Sequence, residues 1–453
     1  MRKTFFQEMR ATLVLAVPLI IGQASNVGMS FVDTLMAGRL SPQDLAAVAI
    51  GATLWNALTL MLIGTLLAVP AFISQFDGAG QRDRMAPFVR QALWLALSIA
   101  LAVLLLGRHT QGVMQLIGIP DEVIPLADAY LRGITWGAPA MGGYLVLRFF
   151  CDGLGRTRPT MFIGLMGMIL NIPADYVLMY GKLGFPAMGA QGCGIATAVV
   201  LWCQFLVVSL FVVRAQPYRF LNLLRDWEWP QPERLWAIIK VGGPIGAAIF
   251  VEASLFVSAT LLMGSLGTTA IAGHQIALNF ASLMFMVPLG TALAITVRVG
   301  NAVGRGEMAE ARFRGFAGIG LIIATGVLAA IIILLLRDEI VALYTADPAV
   351  SALAVSLLLF AAWFQVPDGV QIASTGALRG LKDTAVPLII IVLCYWVIGI
   401  PTSYTLGIAM GRGGGGIWTG MIVALTIASV FLTLRFHLRT RAYRPVAATR
   451  GVD

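Results

Sequence analysis

Charge is scarce in this sequence. Only 12% of its 453 residues are Asp, Glu, Lys or Arg and 58% are hydrophobic, whereas a soluble domain carries roughly 25% charged residues. That leaves too little polar surface to coat a soluble globule of this size. Histidine is scarcer still, with three residues (His109, His274, His437) far apart in the chain. The four cysteines (Cys151, Cys193, Cys203, Cys394) lie in or beside apolar runs without metal or redox spacing, and read as small hydrophobes. With no nucleophile–base pairing and no metal cluster, the sequence does not predict an enzyme. Period-2 alternation is missing, which argues against a membrane β-barrel. The glycine run GRGGGG (411–416) lacks the strand–helix context of a phosphate loop and reads as a flexible turn. No segment repeats in the manner of an ion filter, so a channel is not favoured.

What fills the chain instead is apolar runs of about 20 residues, each long enough to cross a hydrocarbon layer of about 30 Å as a helix. Read against their breakers, these runs give twelve spans: approximately 12–37, 47–75, 88–107, 126–150, 160–181, 190–213, 238–263, 273–297, 315–336, 351–378, 386–409 and 414–435. The opening stretch MRKTFFQEMRATLVLAVPLII resembles a signal peptide only superficially, since the apolar run continues past Gly22; it is expected to be a retained first span. The net charge of +9 does not predict nucleic-acid binding, because the basic residues fall in short clusters between apolar runs. With twelve spans, all but six of the 31 Lys and Arg residues collect on the side of the termini; Arg39, Arg108, Arg132, Lys182, Arg337 and Arg412 are the exceptions. That asymmetry predicts cytoplasmic termini.

The sequence also repeats itself. VDTLMAGRL (32–40) returns as SATLLMGSL (258–266), DGLGRTRP (152–159) as RGLKDTAVP (379–387), and IPADY (172–176) as IPTSY (400–404), at a spacing of 226–228 residues. Six spans per repeat is an even number, so both repeats are expected to insert the same way up, related by an axis along the membrane normal. The predicted architecture is an all-α polytopic membrane protein with two similar six-helix lobes, 1–216 and 238–453. A cytoplasmic linker of 217–237, rich in Trp, Pro and basic residues, joins them, and the second lobe ends in a short basic tail. Two similar lobes with a cleft between them suit alternating access.

Ionisable groups inside apolar spans are costly, about 2.5–3.5 kcal/mol each on insertion scales, so the few that occur point to function. Asp33 lies in the first span; Asn171 and Asp175 lie in the fifth at i, i+4, on one helix face. Two carboxylates cannot both ionise close together in low dielectric without a cation or proton between them. Thr34, Asn26 and Thr197 are expected to complete an oxygen shell of the kind hard cations prefer. In the second repeat, Glu252 lies mid-span and Asp368 falls within FQVPDGVQ (364–371), where Pro367 predicts an interrupted helix. Gln275 and Asn279 share a face and are expected, with Phe364 and Gln371, to line a cleft near them. His274 has two readings, a proton relay or an interhelical hydrogen-bonding tie. FASLMFMVP (280–288) either lines an adaptable greasy cavity or faces lipid.

Taken together, VDTLMAG, EASLF, AGHQIALNFASLMFMVPLG, RVGNAVG, FQVPDG, GALRGLKDT and GRTRPTMFIGLMGMILNIP resemble the NorM-type branch of the MATE (multidrug and toxic compound extrusion) family, over essentially the whole chain. The resemblance implies twelve helices in two lobes and a secondary active exporter of organic cations, drugs and dyes against inward Na⁺ or H⁺. By position, Glu252 and Asp368 match the carboxylates that the family uses for cation coupling in the second lobe, and Asp33, Asn171, Asp175 and Thr197 match its first-lobe cation site. Na⁺ would then sit at Asp33 and Asp175 or at Glu252 and Asp368. Asp175 stands where relatives of this branch often have Asn, and Phe364 where some have Tyr. No cofactor is implied beyond the coupling ion, and the expected partners are small organic cations, that ion and the bilayer. The expected setting is a bacterial inner (plasma) membrane with a functional monomer. The rival readings are a flippase of lipid-linked oligosaccharides, whose anionic cargo calls for several Arg or Lys in the cleft, and a membrane-embedded enzyme.

Overall fold

In lipid, backbone groups find partners only within a helix or a closed barrel, and among the described residues every regular element is helical. The computed structural model describes residues 4–216, 218 and 228–441. Most of the expected linker (217 and 219–227) and the tail 442–453 lie outside the described residues.

In chain order the helices are α1 (Phe5–Leu40), α2 (Pro42–Leu66), α3 (Val69–Gly78), α4 (Met85–Leu106), α5 (Gln111–Leu116), α6 (Ile124–Ile134), α7 (Ala138–Gly153), α8 (Thr157–Tyr180) and α9 (Gly189–Arg214). They continue as α10 (Pro232–Gly264), α11 (Thr268–Gly304), α12 (Met308–Ala342), α13 (Pro348–Gly380), α14 (Ala385–Val392), α15 (Ile400–Tyr404) and α16 (Gly413–Arg441). Local chemistry sets several starts. Ser41 accepts from the Asp44 N–H ahead of Pro42, and Asp347 accepts from Ala349 and Val350 ahead of Pro348. In both, the side chain satisfies an orphan donor and the proline occupies a position that needs none.

Eleven helical stretches among the described residues are long and apolar enough to cross a membrane. The expected fourth span, 126–150, is the twelfth. It is broken into α6 and α7 by a 3₁₀ turn at Thr135–Gly137, with Pro139 opening α7. Two further irregularities depart from expectation. α13 runs unbroken through Pro367, its neighbours holding the helix where proline removes one hydrogen bond. The interruption falls instead in the eleventh span, where π-helical turns at Leu393–Gly399 and Thr405–Ala409 flank the short α15 with its Pro401.

The chain forms two compact units. One comprises 17–73 and 82–250; the other comprises 1–16, 74–81 and 251–453. The first unit is organised around α9, which packs on α8, α6 and α7; the second around α13, which packs on α11, α12 and α16. Without a hydrophobic driving force between helices in lipid, close packing of small residues does this work. A Cβ on Gly194 of α9 would lie 2.3 Å from the Tyr130 carbonyl oxygen of α6. In the second unit, the ends of α3 and α11 cross at a matched pair. A Cβ on Gly78 would meet the Asn301 carbonyl oxygen at 2.1 Å, and one on Gly304 would meet the Gln75 carbonyl oxygen at 2.1 Å. Asn301 Nδ2 also donates to Asp77 Oδ2 (3.0 Å), and Arg298 of α11 pairs with the fully buried Glu8 of α1.

Candidate functional site

In the first unit, α1, α8 and α9 converge on one buried cluster. Asn171 Nδ2 donates to Asp33 Oδ1 (2.5 Å) and to Asp175 Oδ2 (2.7 Å). Thr197 Oγ1 stands 3.5 Å from Asp33 Oδ2 and 3.1 Å from the Cys193 carbonyl oxygen. All four predicted residues are therefore brought together, and all are buried. The i, i+4 spacing of Asn171 and Asp175 turns both toward α1, with Pro173 between them on the same helix. A single amide thus bridges two carboxylates with its two N–H bonds. Its own oxygen, and Asp175 Oδ1, are buried without hydrogen-bond partners.

The donor set suits a hard cation. Oxygens of Asp33 and Asp175 and the Cys193 sulfur lie within 4.8 Å of one another. Turning the Asn171 amide over would aim a neutral oxygen where its N–H bonds now point. Na⁺ favours such oxygens and leaves the soft sulfur aside. Thr34 and Asn26 do not join the cluster. Both are exposed, and the Thr34 hydroxyl is taken by the Ser30 carbonyl (2.9 Å). A residue next to Asp33 on a helix points about 100° away from it.

In the second unit, α13 presents Asp368 and Gln371 at i, i+3, both buried. Asp368 Oδ1 and both amide atoms of Gln371 have no hydrogen-bond partner. The half-buried Glu252 of α10 lies within electrostatic reach of Asp368. Two groups that the sequence did not single out belong here. The Tyr395 ring is fully buried with its hydroxyl unpartnered, and is in electrostatic reach of both carboxylates. It sits in the first π-helical turn, which Trp396 ties to α10 by donating to Ser254 Oγ (2.7 Å), two residues from Glu252. Arg379, counted from sequence among the loop charges, is 2% exposed and faces Glu252 electrostatically. Its position at the end of a span disguised it, since positive charge there also fits loop placement.

Gln275 and Asn279 are exposed on α11, where Asn279 Oδ1 accepts from the Tyr344 hydroxyl (3.4 Å). Phe364 is buried edge-on against Phe256 and Trp418, at ring distances of 6.0 and 5.7 Å. His274 is fully buried, with both nitrogens engaged. Trp418 donates to its Nδ1 (3.2 Å) and Thr260 Oγ1 lies 3.1 Å from its Nε2. An indole N–H is donor only, so Nδ1 is the acceptor and a neutral ring carries its proton on Nε2. This is the geometry of an interhelical tie.

Apolar helices long enough to cross a membrane, with buried carboxylate clusters on them, are the features of a polytopic membrane protein. The MatE family model matches residues 18–177 and 244–405. Multidrug resistance protein PmpM of Pseudomonas aeruginosa is 44% identical over 443 residues, covering 96% of this chain and 92% of that protein. Multidrug resistance protein MdtK of Yersinia pseudotuberculosis is 39% identical over 440 residues, covering 96% of each. Among solved structures, a MATE in the bent conformation superposes with a TM-score of 0.88 at 20% identity, covering 98% of each chain. The eukaryotic transporter AtDTX14 gives a TM-score of 0.87 at 19% identity, covering 96% of this chain and 98% of that one. The chain belongs to the MatE family, and its fold is the twelve-helix, two-lobe arrangement that the sequence predicts.

Proposed function

We propose that this protein is a secondary active multidrug exporter, taking up lipophilic organic cations from the cytoplasm or inner leaflet and releasing them outward in exchange for Na⁺ or H⁺ by alternating access. The observation that carries the exchange is the buried Asp33–Asn171–Asp175 bridge. Two carboxylates on one amide give an entering ion a place to bind. Asp368 and Glu252 are the acids that a cationic drug and a coupling ion would contend for. Neutralising Asp368 removes the attraction for a cationic drug, which is a simple physical route to coupling. Relatives at 39–44% identity carry multidrug resistance names, in keeping with this reading. The protein performs no catalysis, works as a monomer in a bacterial inner membrane, and keeps both termini cytoplasmic. Residues 1–216 and 238–453 serve as the two lobes.

An anionic lipid-linked cargo is disfavoured because each of the two arginines buried among the described residues has an acid within electrostatic reach. Arg148 lies 3.7 Å from Asp152 and 3.0 Å from Gln23, and Arg379 faces Glu252.

The test is efflux of a fluorescent organic cation from proteoliposomes under an imposed H⁺ gradient and then an imposed Na⁺ gradient. Efflux driven by either names the ion; no efflux from folded protein under either sinks the proposal. One charge crossing 100 mV is worth about 2.3 kcal/mol, so one-for-one exchange of a monovalent drug draws nothing from the potential. Net current during transport would identify more than one ion per drug.

A further inference from the structure

Where α12 packs against α16 in the second unit, two basic side chains meet without an acid. Arg312 lies in the first turns of α12 and His437 in the last turns of α16, and Arg312 Nη2 is 3.0 Å from His437 Nδ1 and 3.4 Å from its Nε2. A guanidinium only donates, so a ring nitrogen of His437 accepts, and both side chains stay half exposed. The Phe316 ring, one turn along α12, sits beside both. The Arg312 guanidinium and the His437 imidazole are each 6.0 Å from it. Arg441 follows His437 at i+4 on the same face of α16 and is exposed. The other arginines of these turns are spent. Arg314 pairs with Glu310 (2.9 Å), and Arg435 and Arg439 both pair with Asp383 (2.9 and 3.0 Å). Among the described residues, no carboxylate pairs with Arg312, His437 or Arg441.

Basic groups without an acid call for an anion, and the surroundings select its carrier. On α16, Leu434 shares the face of His437 at i, i+3, with Val430 and Phe431 a turn further in, and all three are exposed. On α12, Ile323 and Val327 are exposed beyond Phe316. Both helices are long and apolar enough to cross a membrane, so these side chains meet acyl chains and the basic groups stand where the apolar surface ends. A phospholipid fits that border, laying its chains on the apolar side and bringing its phosphate to the basic end. A forked guanidinium matches phosphate oxygens two at a time, and an imidazole N–H adds another donor. We propose that Arg312 and His437, with Arg441, bind the headgroup phosphate of an anionic phospholipid where α12 meets α16. The site shares no residue with either carboxylate cluster and does not depend on which ion or drug the protein exchanges.

The test is native mass spectrometry of the full chain released from micelles holding equal amounts of phosphatidylglycerol and phosphatidylcholine, whose phosphate carries a cation beside it. Phosphatidylglycerol should be retained in preference. Arg312→Gln should weaken that lipid about tenfold and leave phosphatidylcholine unchanged. His437→Gln should act in the same direction, and serves alone if Arg312→Gln does not fold. Arg305→Gln removes the same charge from an arginine already paired with Glu307 (2.8 Å), and should leave retention unchanged. Undiminished phosphatidylglycerol retention in the folded Arg312 and His437 variants would overturn the site, as would an equal loss in Arg305→Gln, which would reduce the effect to general charge. Displacement of the lipid by inorganic phosphate at matched concentration would overturn the choice of carrier.

Discussion

The acids of the two units are held in opposite ways. Asp33 and Asp175 share an amide donor and lie in a tight oxygen cluster on three helices. Asp368 has an oxygen with no hydrogen-bond partner, beside an unpartnered glutamine and an unpartnered phenol. The sequence repeat sharpens the contrast. At its spacing, Asp33 corresponds to Ala259, Asn171 to Gly399 and Asp175 to Ser403; conversely, Glu252 corresponds to Asn26 and Asp368 to Met141. The copies kept their prolines (Pro18 and Pro244, Pro173 and Pro401) and placed their acids at different points of the shared plan. Duplication supplied the scaffold twice and a different polar site each time. The first unit's acid pair is clustered and hydrogen-bonded, while Asp368 is buried with an oxygen that no neighbour satisfies.

The largest expected effect tests that division directly. Asp368→Asn should lower ion-driven efflux by about tenfold or more while equilibrium drug binding persists, measured as initial rates in proteoliposomes. Undiminished efflux would remove Asp368 from coupling and leave the first unit to act alone. Asn171→Leu keeps both first-unit carboxylates but strips their shared donor. The half-saturating concentration of the driving ion should rise about fivefold, near 1 kcal/mol; an unchanged value would mean that the bridge does not shape the ion site.

A smaller effect is expected at His274, which ties α10, α11 and α16 in the second unit. His274→Phe gives up two interhelical hydrogen bonds at about 0.6 kcal/mol each, so the melting temperature should fall by a few degrees with efflux retained. Loss of efflux in folded His274→Phe protein would restore the proton-relay reading. The smallest effect concerns Lys382, in the turn after α13, its ammonium near the Phe76 ring. Burial pushes its pKa from 10.5 down to about 8. Between those values the unfolded chain binds the extra proton, so the contribution of Lys382 to stability rises with pH there. Lys382→Met should remove that slope from a melting-temperature profile across pH 8 to 10.5; an identical slope would show that the ammonium is not buried in the folded protein.

Much of this was legible from residues alone, because an acid in an apolar span stands out. Asp33, Asn171 and Asp175 could be grouped from their surroundings and their spacing, and the structure joins them. Tyr395 and Arg379 could not. A tyrosine in an apolar run and an arginine at a helix end are ordinary in sequence, and only tertiary packing shows that each is enclosed beside carboxylates. The broken fourth span had a local signal in Gly137 and Pro139, which the continuous apolar pattern on either side outweighed. The irregularity predicted at Pro367 and found around Pro401 shows that a proline marks a missing donor without deciding how its neighbours respond.

The crossing of α3 and α11 ties the two copies to each other's history. Gly78 and Gly304 stand at corresponding positions of the repeat, as do Gln75 and Asn301, whose carbonyls they meet. Each copy's glycine is therefore the clearance for the other copy's backbone. A side chain gained in either one collides with a residue inherited from the same ancestral position. The acids of the two halves diverged; at this vertex neither half could change without the consent of its twin.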